Sequence, residues 1–157
     1  MTETARIADQ LARAFNGDAW SGPSLQATLQ GITAEQAASR PVPAAHSIWE
    51  LVLHLATWAR VVHARVSTGQ EQPVPDDVDW PAVPAATPEA WAQAQEALVA
   101  AHTQVIRLLS TLTDEQLSQP VGRPDTDVTV YVLLHGLAQH YLYHAGQVAL
   151  LRKALPA

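Results

Sequence analysis

Apolar positions along the chain recur mainly at helical spacing. Ile7, Leu11, Ala14 and Phe15 outline a short amphipathic first helix that stops near Asn16-Gly17. Trp20-Ser-Gly-Pro-Ser24 reads as a turn into a second short helix, about Leu25–Leu29. Thr33-Ala-Glu-Gln36 is a capping box for one or two further turns. Arg40-Pro-Val-Pro43 must be extended, because a proline pushes its predecessor out of the helical region.

Ser47-Ile-Trp-Glu50 is a second capping box and opens a long helix. Leu51, Leu55, Trp58, Val62 and Val66 carry it to about Ser67, with a stop at Thr68-Gly69. Residues 69–86 contain Pro73, Pro75, Pro81, Pro84 and an acidic run, and predict a long loop. Thr87-Pro88 opens the next helix, expected to reach about Leu112. Thr113-Asp-Glu-Gln116 is a third capping box, followed by a loop marked by Pro120, Gly122 and Pro124. The last helix is expected over roughly Val128–Ala154, with Arg152 and Lys153 complementing its C-terminal dipole. No credible strand pair appears. The pattern predicts an all-α chain forming a four-helix bundle with long crossover connections.

Composition narrows the function classes. At 157 residues with 48% apolar and 15% charged positions, one domain spanning 1–157 is expected, and disorder is not. The net charge is -6 and no basic cluster is present, which argues against nucleic acid as a partner. The absence of cysteine excludes disulfides, thiolate zinc sites, iron–sulfur centres and a cysteine nucleophile. Met1-Thr-Glu-Thr-Ala has no signal-peptide character and no stretch has the ~20 apolar residues of a membrane span, so a cytoplasmic location without membrane partners is expected.

Seven histidines remain as candidates for chemistry. The apolar stripe of the last helix can be written Val130, Leu133, Leu137, His140, His144, Val148, Leu151. This places His140 and His144 inward, four residues apart, the spacing at which two imidazoles can share a metal. His135 lies about 140° around that helix from His140 and should face elsewhere. His54 falls on the inward stripe of the long second helix, while His63 should face solvent. His102 has no histidine partner on its own helix, and His46 precedes a helix start, where it is either a staple or a rim residue.

Burying His54, His140 and His144 without partners would cost several kcal/mol. A metal ion and an unmetallated polar core are the two readings. The last helix carries no acidic residue, which removes the Glu-x-x-His pattern of di-iron bundles and favours a mononuclear site. Three imidazoles suit Zn, Ni, Cu or Fe over Ca or Mg, and three protein ligands leave a position open. Glu50 lies one turn before His54 and either supports that ring or serves only the capping box.

Two stretches carry a family resemblance. His46-Ser-Ile-Trp-Glu-Leu-Val-Leu-His54 and His140-Tyr-Leu-Tyr-His144-Ala-Gly-Gln147 are similar to motifs of the DinB/YfiT-like family of metal-dependent bundle proteins. Weaker echoes are Ala19-Trp20-Ser-Gly-Pro-Ser24 and Asp79-Trp80-Pro81, so nearly the whole chain is covered in order. Val132 departs from the family, whose members often carry an acidic residue there. The resemblance implies a four-helix bundle with His54, His140 and His144 as ligands to Zn or Ni, often in a homodimer. It also implies a relation to low-molecular-weight-thiol S-transferases and a thiol-dependent maleylpyruvate isomerase.

The leading expectation is therefore a metal-dependent enzyme joining a small thiol to an electrophilic small molecule. Trp58, Trp80 and Tyr141 would either shape its pocket or simply pack. The alternatives are a metal-dependent hydrolase, a non-catalytic metal-binding dimer, and a plain bundle with satisfied histidines. An exposed Trp49 and the alanine-rich third long helix are candidate interface features.

Overall fold

The computed structural model describes residues 1–155. Among these the chain forms α1 (Glu3–Phe15), α2 (Leu25–Leu29), α3 (Ala34–Ala38), α4 (Ile48–Thr68), α5 (Asp76–Asp79), α6 (Pro88–Leu109) and α7 (Val130–Ala154). A 3-10 turn covers Asp114–Ser118. The only β-type pairings among the described residues are two isolated bridges, Ala19 with Gly22 and Pro120 with Thr129. The four long helices α1, α4, α6 and α7 make the bundle. Helix α4 packs on α6 and α7, and α1 packs on the same two, so α1 and α4 are diagonal across the core. None of these helices is long and apolar enough to cross a membrane.

Helix starts follow their caps. The Ser47 hydroxyl accepts from the Glu50 amide at 3.2 Å and Glu50 Oε2 accepts from the Ser47 amide at 2.7 Å, closing the capping box of α4. Gly69 ends α4 at φ 67°, a left-handed conformation that favours glycine. Helix α6 stops at Leu109, short of the expected Leu112. There the Ser110 and Thr111 hydroxyls donate to the carbonyls of Arg107 and Leu108, and the chain tightens instead of continuing. Helix α7 begins at Val130, two residues later than expected. Val128 is held outside it, its carbonyl accepting from the Val121 amide at 2.9 Å, and Thr129 becomes the cap.

Three expectations need correction. Residues 69–86 are not wholly loop, because α5 forms one helical turn within them. Pro75 enters that turn, and three aspartates in its first turn favour the helix dipole. Trp49 is not exposed at all: it is buried at 0% accessibility and packs on Trp91, with ring centroids 5.1 Å apart. A helix with neighbours on two sides buries a wide arc, and position 49 lies within it. The same cause shifts the stripe of α7. Its buried residues are Val130, Leu134, Leu137, Tyr141, His144, Ala145, Val148 and Leu151. Helix α7 meets α1, α2 and α4, so the centre of its arc runs through Leu134 and Tyr141, and Leu133 and His140 sit half-buried on its flank. That flank faces α4 and carries the histidines.

Candidate metal centre

Helices α4 and α7 bring His54, His140 and His144 together, with one potential ligand nitrogen from each within 4.8 Å of the others. The Nε2 atoms of His54 and His144 lie 3.0 and 2.8 Å from His140 Nε2. His54 and His144 are buried and His140 is half-buried.

The outer nitrogens determine what the inner ones present. His54 Nδ1 lies 3.0 Å from the Asp79 carbonyl oxygen and 2.9 Å from Asp79 Oδ1. Both atoms can only accept, so the neutral ring of His54 would carry its proton on Nδ1 and present Nε2 as a lone pair. His144 Nδ1 lies 2.6 Å from Gln147 Oε1, another acceptor, with the same consequence. Two lone pairs therefore face His140 Nε2, which has at most one proton to donate. In a site of neutral rings at least one lone pair meets no hydrogen.

A divalent ion would satisfy all three nitrogens at once. Tetrahedral ligands ~2.0–2.1 Å from zinc are separated by about 3.3 Å, so the two distances to His140 would open by a few tenths of an ångström. A proton is a poor substitute. Burial pushes His140 down to about 4, with the neighbouring His144 and His54 adding to the fall and Asp79 opposing it. Burial likewise lowers His144, against the bond to Gln147. The donor set, three imidazoles of which His54 and His144 have their outer nitrogens held by Asp79 and Gln147, suits a borderline transition metal.

The supports come from unexpected places. Asp79 ends the one-turn helix α5, where a terminal carbonyl has no partner within its helix and is free to accept from His54. Its carboxylate also accepts from Trp58 Nε1 at 2.6 Å, tying α5 to α4. Helical spacing does not mark Asp79 for this, since it lies 25 residues from His54; the family echo Asp79-Trp80-Pro81 was the available signal. Gln147 is three residues after His144, and that helical spacing is a usable signal. Glu50 does not support His54: its carboxylate serves the capping box and pairs with Arg40 at 2.5 Å.

Aromatic rings wall the site. Trp80 stacks between His46 and His54, at centroid distances of 3.6 and 4.0 Å, so His46 is a rim residue. Trp58 meets the His140 ring edge-on at 6.1 Å. Tyr141 has no place in the site: it is fully buried between Phe15 and His102 and belongs to the core. His102 stacks on Phe15 at 3.9 Å, apart from the triad. His135 packs on Tyr131 instead, and His63 is half-buried on α4. A cleft of about 560 Å³ opens beside the triad, bordered by Trp58, Val62, Leu133, Leu137 and His140.

The buried histidines set an acid limit on stability. Burial lowers His102 from 6.5 to about 4, as it does His140. With folded values below unfolded ones, the unfolded chain binds more protons in that window. The metal-free protein is therefore expected to keep full stability above about pH 6.5 and lose it as pH falls toward 4. Each pKa unit corresponds to about 1.4 kcal/mol. Urea midpoints between pH 7 and 4.5 in chelator check this, and His102→Leu should flatten part of the slope. A flat profile in the parent protein would contradict neutral, buried imidazoles.

No curated protein and no solved structure matches the chain. The family model for the DinB superfamily matches residues 19–148, a span from the turn after α1 to the last turns of α7 that includes all three histidines, and the chain belongs to that superfamily.

Proposed function

We propose that this chain is a metal-dependent thiol S-transferase in which His54, His140 and His144 hold one zinc or nickel ion. The observation that carries this reading is the convergence of three Nε2 atoms, two of them on rings whose outer nitrogens are committed to Asp79 and Gln147. When bound, the ion would stabilise the thiolate form of a small thiol near neutral pH. His140 is the one ligand that borders the cleft, so the accessible side of the triad faces it. Trp58 and the apolar side chains of Val62, Leu133 and Leu137 would exclude water around an electrophile lying there.

Hydrolysis fits less well. It needs a base to handle the proton of water, and the nearest carboxylate, Asp79, is already engaged by His54 and Trp58. The resemblance further supports one DinB-like domain over the whole chain and a homodimer. Exposed Tyr131, Tyr143 and Leu150 give α7 apolar surface for such pairing.

The test is conjugation of a panel of low-molecular-weight thiols to a chromogenic aryl halide. Turnover that chelation abolishes and zinc or nickel restores is expected. One ion per chain with no turnover against the panel would leave the metal-binding dimer and remove the transferase.

A further inference from the structure

We propose that the cleft beside the triad binds a small organic acid, its flat apolar body along Trp58 and its carboxylate on the guanidinium of Arg65. The volume of about 560 Å³ suits a small molecule, and the walls are mostly apolar, from Val62, Val132, Leu133 and Leu137. Arg65 is the one Lys or Arg side chain in the lining. It is half-buried and lies 5.6 Å from the centroid of the Trp58 ring. One amino group donates to the Gln72 carbonyl at 2.9 Å, while Nε is buried without a partner. Among the described residues no carboxylate pairs with Arg65.

A partly desolvated guanidinium with no counterion is poised for an anion, and its planar fork matches a carboxylate. Glu71 also borders the cleft, but it is exposed and folded over Gly122: a Cβ added at Gly122 would lie 3.1 Å from Glu71 Oε2. Water screens that carboxylate far better than the protein interior screens Arg65. Arg65 and His140 both lie against the same indole, at 5.6 and 6.1 Å from its centroid. An acid anchored on Arg65 therefore extends along Trp58 toward the triad. The consequence that the transferred electrophile is itself an organic acid rests on the metal-site reading; the binding claim does not.

The experiment is calorimetric titration of the full, chelator-treated chain with 2-naphthoate and with its neutral isostere, 2-naphthamide. Chelation removes any carboxylate–metal contact. One naphthoate per chain is expected, bound at least about tenfold more tightly than the amide. Arg65→Met should weaken naphthoate by about tenfold or more and leave the amide unchanged, and Arg65→Lys should fall between. Glu71→Gln should tighten naphthoate modestly. Equal affinity for acid and amide in the parent protein would overturn the proposal without any variant. So would no binding of either probe, or an Arg65→Met change that is the same for both. Zinc uptake by the untreated protein is read separately and decides the metal-site reading alone.

Discussion

Replacing His144 with alanine is expected to abolish tight binding of one zinc or nickel ion per chain. The triad offers three Nε2 atoms, and His144 brings one whose tautomer is set by Gln147. Loss of a supporting residue around a metal typically costs ~10–100-fold in affinity, and loss of a ligand should exceed the upper figure. Metal at 100 to 1,000 times its dissociation constant adds about 3–4 kcal/mol to the folded state. For a chain of this size that is a melting shift of roughly 6–16 °C. The parent protein should show this shift and His144→Ala should show none. Elemental analysis of protein purified without an affinity tag gives the stoichiometry. Asp79→Ala grades the same argument: the backbone carbonyl would still accept from His54 Nδ1, so a loss near the lower end, about tenfold, is expected. A parent protein that takes up no metal would reduce the triad to three polar groups, two of them buried.

Trp49→Ala is expected to cost about 3–5 kcal/mol, the range for emptying a large aromatic from a core. Trp49 is fully buried beside Trp91, which is itself anchored by donation from its Nε1 to the Ile32 carbonyl at 2.9 Å. The cavity would lie between α4, α6 and the α3 region, where relaxation would have to move three elements. Urea unfolding should show a lower midpoint with an unchanged slope. Trp49→Phe should cost much less, because the indole nitrogen it removes is buried without a partner. A loss below about 1 kcal/mol for the alanine variant would return Trp49 to the surface.

The contrast between Trp49 and Ser47 shows where sequence reading holds. The Ser47–Glu50 capping box was legible because every group involved lies within four residues. The burial of Trp49 was not legible, because the spacing of one helix does not say how many neighbours surround it. The stripe of α7 failed in the same way. A spacing pattern of threes and fours can be drawn through Leu133 and His140 or through Leu134 and Tyr141, and only packing against α1, α2 and α4 chooses the second.

The candidate site divides along the same line. Local pattern was enough for the starts of α3, α4 and α6, the all-helical bundle, and three histidines on two of its helices. These follow from local capping and from periodicity, which act over a few residues. That Asp79 holds His54, that Arg65 and His140 both lie against Trp58, and that Tyr141 belongs to the core came from packing alone. Those relations depend on where a proline-bounded turn of four residues comes to rest against α4 and on how far α7 is rotated in the bundle. Contacts over long sequence separation set both, and no local pattern encodes them.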